Sequence, residues 1–457
     1  FAIEEIMKKI LSIALIAALA LTSVFAATYN GKAALELGYD LDKEDYGFVN
    51  SLGHKLSWTL ELETGTAGSE GEADLRAAIA AEFSVGKEIA DDDDMEDGNF
   101  ELKDFGLDAE AKITKADILY KDIVRVGILN AGKSADYAKA FYEYEYKDKD
   151  GKDKKNKLNI VQSINDGIDD EVSMQDVLYL VNWYPMLGIK YPAGLNFTVA
   201  GFNGGFGLVG NTKYETVDYL AWAETKSFDL YEGLTAQAAA AVTGNKDNNL
   251  FTLSAKTAYK NEEAKVSASL ATDFGYMNFA NEGEALLDLA LNASYDFVTL
   301  DAYVGTADSF ENTELGAKIT ATYKFENGSV GGSFAGQNMA DMKTLYSREF
   351  TATVKGDYTY QPVKAEAEVS YAIIAKKLTV KPAVSYLNDL FTAKAGLELV
   401  TVFGEKDTKV TKIAPTVSVS SDKIINNATL ELGWTGADFA EGVDKKGKIA
   451  TSATISF

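Results

Sequence analysis

The sequence predicts an all-β chain: a large single-chain transmembrane antiparallel β-barrel of about 22 strands, within a range of about 16–22. Three observations predict it. Apolar and polar residues alternate with period two through most of the chain. The alternating runs reach the roughly ten residues that a tilted strand needs to cross lipid. Aromatic residues on the apolar face gather beside the short connections.

The N-terminal segment sets the compartment. From Met7, Lys8 and Lys9 precede a continuous apolar run from Ile10 to Leu21, and Val24 and Ala26 form a small-x-small site. This is the layout of a secretory signal peptide, with cleavage expected after Ala26, or after Ala27 as second choice. Residues 1–6 precede that leader and carry no fold information. The expected division is therefore signal peptide 1–26 and barrel 27–457. Cysteine is absent, which excludes disulfides, thiolate sites and an acylated lipoprotein leader. The net charge of −25 argues against nucleic acid and anionic lipid as partners.

The strands follow in order. "HKLSWTLELE" sets Leu56, Trp58, Leu60 and Leu62 against Lys55, Ser57, Thr59 and Glu61. "LGAKITATYKF" sets Leu315, Ala317, Ile319, Ala321, Tyr323 and Phe325 against Lys318, Thr320, Thr322 and Lys324. "VKAEAEVSYAI" repeats the device from Val363 to Ile373. Each run has one apolar and one polar face. The expected spans are 29–40, 54–64, 73–87, 100–113, 117–129, one strand within 158–182, 194–202, 215–223, and fourteen more from 228 onward. Pro382 and Pro415 weaken two of these, since proline cannot donate to a ladder. Short links are expected at 261–263, around Val298, and at 326–328, 361–362 and 388–389; longer ones at 244–249, 275–283, 306–312 and 335–343. The longest link spans about 130–173, within which "SADYAKAFYEYEY" suits a short helix or a strand.

Tyr259, Tyr295, Phe297, Tyr323, Phe325, Tyr358, Tyr360, Tyr386, Phe391 and Phe457 then form a girdle at the short-turn end, where rings favour the lipid–water boundary. The polar faces place Lys256, Lys318, Lys355, Lys364, Glu366 and Glu368 along a lumen wall.

Little in the sequence can perform chemistry. His54 is the single histidine, so a Ser-His-Asp triad or a His-based metal site would have to use it. "GFNGGFG" (201–207) has glycines but no following helix, and is expected to be a loop. "DKDGKDKKN" (148–156) fails the spacing of a calcium loop. It and the acidic stretches 40–45 and 91–99 are solvated outer loops. No enzyme, cofactor or metal is expected.

Long polar links on one side, short turns on the other, and the ending I-x-T-x-A-x-I-x-F resemble bacterial outer-membrane porin-type β-barrels. The 41 Lys against three Arg, with the leader "MKKILSIALIAALALTSVFA", are also similar to spirochaete (treponemal) major outer sheath and surface proteins. The porin resemblance implies a passive, water-filled diffusion channel for small hydrophilic solutes and ions in the bacterial outer membrane. Its partners would be outer-membrane lipid and, through Phe457, the barrel assembly machinery; a homo-oligomer fits the same plan. It also implies that the 130–173 loop folds inward as a constriction. Asp166, Asp169, Asp170, Glu171 and Asp176 would then face Arg76 and Arg125, which have lumen parity; the porin loop's own proline-aromatic-glycine signature is missing. Acidic outer loops and the net charge imply a weak cation preference, tempered by the wall lysines. The alternative function is a barrel-anchored surface adhesin or major surface antigen.

Deleting Phe457, or Phe457→Lys, is expected to leave secretion intact and to lower the amount of assembled barrel. Heat-modifiable migration of outer-membrane fractions measures this, and normal migration of the mutant would refute it.

Overall fold

The computed structural model describes residues 27–42, 44–47, 56–63, 75–85, 109–120, 123–128, 135–147, 153–157, 159–161, 193–211, 216–246, 248–279, 282–307, 309–340, 348–404, 408–443 and 445–456. The leader, His54, Phe457 and the acidic cluster 166–176 lie outside them. So do the stretch 91–99 and, of 40–45, Lys43.

The first half contains β1 (Ala27–Asp40), β2 (Asp45–Gly47), β3 (Leu56–Glu63), β4 (Leu75–Val85), β5 (Ala109–Tyr120), β6 (Val124–Gly127), β7 (Glu143–Lys147), β8 (Asp153–Lys157), β9 (Ala193–Val199), β10 (Phe202–Asn211), β11 (Thr216–Thr225), β12 (Phe228–Tyr231) and β13 (Leu234–Gly244). The second half contains β14 (Asn249–Asn261), β15 (Val266–Phe279), β16 (Glu282–Tyr295), β17 (Val298–Ala307), β18 (Asn312–Phe325), β19 (Gly328–Gln337), β20 (Glu349–Tyr360), β21 (Val363–Ala372), β22 (Lys377–Leu387), β23 (Thr392–Phe403), β24 (Thr408–Ser421), β25 (Ala428–Thr435) and β26 (Lys448–Ser456).

Twenty-four of these form one antiparallel sheet; β7 and β8 form a separate hairpin. Two short members share an edge with a longer strand, β2 beside β3 on β1 and β12 beside β11 on β13. Setting those two apart from the 24 leaves 22 positions. β26 pairs with β25 and with β1, and β1 pairs in turn with β3.

The number of positions is the expected one, but its composition differs. The fourth and fifth expected strands, 100–113 and 117–129, are β5 and β6, joined around 121–123. The β4–β5 ladder shifts at Ala80/Ala81, where Thr114 is left over between Ile113 and Lys115. A bulge flips the alternation, so one continuous strand imitates two. No strand lies among residues 159–161 of the expected 158–182 strand; Ile160 and Val161 are helical, and the rest lies outside the described residues. In exchange, β10 occupies the segment expected as a glycine loop. Phe202, Phe206 and Leu208 still alternate there, on the exposed apolar face, with glycines on both faces. Residues 153–156 of the calcium-like stretch belong to β8.

The turns on one side fall close to expectation, at 262–265, 296–297, 326–327, 361–362 and 388–391. On the opposite side three links, 245–248, 308–311 and 338–348, lie near their expected places, and a fourth departs. The link expected at 275–283 shrinks to 280–281, because β15 and β16 pair as far as Phe279↔Glu282. Pro382 and Pro415 do lie inside strands. The β22–β23 ladder passes from Val380↔Leu399 to Ala383↔Gly396, so it omits the proline, which has no N–H to give.

The faces of this sheet are inverted relative to a water-soluble protein. Leu253, Leu270, Ile319 and Val354 are exposed, by 47%, 49%, 52% and 61%. Asp218, Asp273, Asp288 and Glu314 are fully buried on the other face. Links beyond the strands account for that burial.

Candidate functional site: an acid row that seats an inward segment

Four carboxylates on the polar face fall in one cross-strand row. Glu224 of β11 stands opposite Ala239, Ala239 opposite Ser254, and Ser254 opposite Asp273. The row continues through Asp288 and Gly305 to Glu314. Asp273 and Asp288 are direct neighbours across β15 and β16, and both are buried. Like charges directly opposite destabilise a sheet, and burial magnifies the cost. Compensation must come from donors.

It comes from residues 135–161, part of the link between β6 and β9. The Tyr137 and Ala138 backbone N–H groups donate to Asp273 Oδ2 at 3.0 and 2.8 Å. The Asn159 side-chain amide donates to the same oxygen at 2.7 Å and to the Ala138 carbonyl at 2.8 Å. Ile160 and Val161 N–H groups donate to the two oxygens of Asp288, at 3.1 and 2.7 Å, and the Tyr303 hydroxyl donates to it from the wall. The Tyr142 hydroxyl donates to Glu314, which also accepts from Asn338 N at 2.7 Å. The Tyr137 hydroxyl donates to Glu224 at 2.7 Å, beside Gln237 Nε2 at 2.7 Å. Burial first, and then Glu224, push the Tyr137 hydroxyl well above its ordinary pKa. Its share of stability is complete below an ordinary tyrosine pKa of about 10 and declines only as pH rises beyond that.

Packing matches the hydrogen bonding. Ala138, Ala140, Ile160 and Val161 are buried. A Cβ placed at Gly305 would lie 2.8 Å from Ile160 Cδ1, and one at Gly275 would lie 3.2 Å from Val161 Cγ1. One at Gly316 would collide with the Tyr142 ring. Asp273, Tyr303 and Glu314 each precede such a glycine by two residues on the same face. The repeated anchor-x-Gly is the signal that sequence reasoning missed. Between the two seated segments, β7 and β8 pair from Glu143↔Lys157 to Lys147↔Asp153. Of "SADYAKAFYEYEY", only this β7 part is strand; 135–140 is irregular backbone held by the acids.

The structure brings part of the 130–173 link to the wall through residues that were not singled out. Arg76 lies in β4 opposite Leu119. Arg125, on β6, pairs with buried Asp117 of β5 and is itself half exposed. The wall residues take their positions on the polar face. Glu366 is bridged by Lys364 at 2.7 Å and Lys394 at 3.0 Å. Glu368 stands opposite both Lys355 and Lys381, and Lys318 opposite Asp301. Lys256 is exposed between Gln237 and Ala271. Tyr259, Tyr295, Phe297, Tyr323, Phe325, Tyr358, Tyr360 and Tyr386 are exposed beside the short turns, and Phe391 is half-buried there.

Among the described residues no group of three or more His, Cys, Asp or Glu is placed to hold a metal ion. The arrangement seats residues of the β6–β9 link on the polar face of the sheet.

No family model matches the chain, and no curated protein matches it. Several solved structures resemble it. The P pilus usher PapC translocation pore is 7% identical over 94% of this chain and 98% of its own, with a TM-score of 0.37. The Pseudomonas aeruginosa siderophore receptor PirA is 7% identical over 94% and 80%, at 0.41. A Rh. blastica porin mutant is 12% identical over 94% and 100%, at 0.27. Similarities of this size assign no activity, and none of these three carries the spirochaete likeness of the leader.

Gly316→Val is expected to unseat Tyr142 while leaving the wall intact. Trypsin should then cut the β7–β8 hairpin, at Lys154, Lys155 or Lys157, several-fold faster. Gly332→Val is the control, since a Cβ there meets only Thr353 O at 3.5 Å. Equal protection of both variants would show that the segment is not held by this seat. Asp288→Asn should act in the same direction, because its amide turns a donor toward a donor, at a cost of about 1–3 kcal/mol.

Proposed function

We propose that the sheet closes as a transmembrane β-barrel in the bacterial outer membrane. There it works as a porin: a passive, water-filled channel for small hydrophilic solutes and ions, narrowed by residues 135–161. The observation that carries this reading is the inversion of the faces. Exposed leucine, isoleucine and valine side chains in contact with water would cost about 25 cal/mol per Å², and a patch wrapping strand after strand exceeds what soluble proteins leave open. Lipid removes that cost. The aromatic residues at the short-turn end then sit at the headgroup level as a girdle. The return of β26 to β1 supports closure, because an unpaired edge has no partner in lipid.

Inside such a barrel, the polar face with its Lys and Glu pairs lines water. The segment on the acid row takes up lumen space, and its N–H and O–H donors hold the carboxylates beneath it. Ion preference then depends on the mouth, where the net charge of −25 is carried into acidic outer loops. Screening over a Debye length of about 8 Å keeps that preference to a few-fold for cations. If Asp166, Asp169, Asp170 and Glu171 dip into the passage, they strengthen it.

Two measurements test the reading. Leu270→Lys, in the middle of β15, should destabilise the folded protein in lipid by about 2–4 kcal/mol; a neutral effect would mean that this face meets water. Purified protein in planar bilayers should open in steps, and replacing residues 143–157 with a short Gly-Ser linker should raise unitary conductance. Reversal potentials in a KCl gradient should show a weak cation preference that falls when Asp166, Asp169, Asp170 and Glu171 are neutralised together. A silent bilayer alongside host-protein binding would favour the adhesin instead.

A further inference from the structure

Away from the acid row, a second link folds onto the polar face. Residues 436–447, between β25 and β26, return to the free part of the β24 edge. Phe439 N donates to the Ile413 carbonyl at 2.9 Å, and Asp438 Oδ1 accepts from Ile413 N at 2.9 Å and Ala440 N at 3.0 Å. Ala437 and Ala440 are buried by this contact. The link and the wall of β22–β24 form a half-open cavity of about 520 Å³. Lys381, Lys394, Lys412 and Lys445 line it, with Glu398 and Asp438 as the acids and Pro382, Ala383, Ala414 and Val443 among the apolar lining.

Among the residues that line it, four ammonium groups face two carboxylates, a local surplus of two; Glu366 and Glu368 of β21 stand outside the lining, beside Lys394 and Lys381. Asp438 already accepts two backbone N–H bonds, which hold its carboxyl below the usual range. Glu398 is shared between Lys381 at 3.3 Å and Lys412 at 2.7 Å, and Lys394 also reaches Glu366 at 3.0 Å. An ammonium has three donors, so one carboxylate contact does not exhaust it. These lysines are about half exposed, which leaves them open to a solute.

We propose that this cavity is a binding subsite for small multivalent anions, which bridge Lys412 and Lys445 and compete with Glu398 for Lys381. The inference deepens the porin reading: the mouth favours cations weakly, while the subsite makes the flux of doubly charged anions saturable. A singly charged anion such as chloride gains too little from separated ammonium groups to saturate it.

The test uses the full-length protein, with potassium succinate and inorganic phosphate as probes at constant ionic strength. Neutral succinamide is the control. Currents carried by succinate or phosphate should level off with concentration, while chloride currents and succinamide flux stay linear. Lys445→Gln, in a link rather than a strand, should raise the half-saturating concentration about tenfold, as loss of one charge-assisted hydrogen bond would. Lys265→Gln, in the turn between β14 and β15, should leave it unchanged. Saturation by both probes assigns the site to multivalent charge; saturation by succinate alone assigns it to dicarboxylates. Linear currents with both, saturation by chloride, or an equal effect of Lys265→Gln would overturn the subsite. Calorimetry of succinate binding to detergent-solubilised protein separates the two readings. Binding that Lys445→Gln weakens upholds the subsite even if no channel opens; no binding in protein that conducts overturns the subsite and leaves the channel standing.

Discussion

Two carboxylates that cannot be left alone organise the interior of this protein. Asp273 and Asp288 face each other across neighbouring strands on the same face. In water their repulsion would be small. Under a covering of protein it is large, and only donors aimed at both can offset it. The donors are four backbone N–H groups and an amide from residues 137–161, with a tyrosine hydroxyl from β17. The acids therefore determine where the link lies, and the link makes the acids tolerable. Glycines at 275, 305 and 316 extend that dependence to packing, because each leaves the space that a loop side chain fills.

The arrangement also separates two uses of charge on one face. Carboxylates in the row hold the link, Asp273 and Asp288 chiefly through backbone N–H groups and Glu224 and Glu314 through tyrosine hydroxyls. Those of β21–β23 are held by lysines instead, in partly solvated pairs. Such pairs contribute little to stability, on the order of 0–1 kcal/mol each. Their consequence is electrostatic: ammonium and carboxylate groups alternate across the wall. The two links that fold onto the face lie against these different surroundings. One is seated on acids through its backbone, and the other roofs a cavity lined by lysines.

Irregularities in the strands follow from their regularity elsewhere. A sheet with one apolar face and one polar face must keep its parity from strand to strand, so any extra residue has to be absorbed locally. Thr114 is absorbed as a bulge in β5, and Pro382 by a gap in the ladder. Ladder hydrogen bonds on either side hold both strands, so neither irregularity ends its strand.

The sequence by itself determined the β class, the two-faced strands, the fourteen positions after residue 228 and the end at which aromatics collect. Period-two alternation is a local property, and neighbours in the chain are enough to express it. It misled where local pattern and pairing disagree: at Thr114, where a bulge imitates a turn, and at 202–211, where glycines hide a strand. Only the tertiary structure decided which polar residues matter. Asp273, Asp288 and Glu314 look from the chain like any other lumen-parity acids. They became a site because pairing across separate strands set them in one row with Gly305, and because a link more than a hundred residues upstream supplied the donors. No period in the sequence records a row that runs perpendicular to the chain.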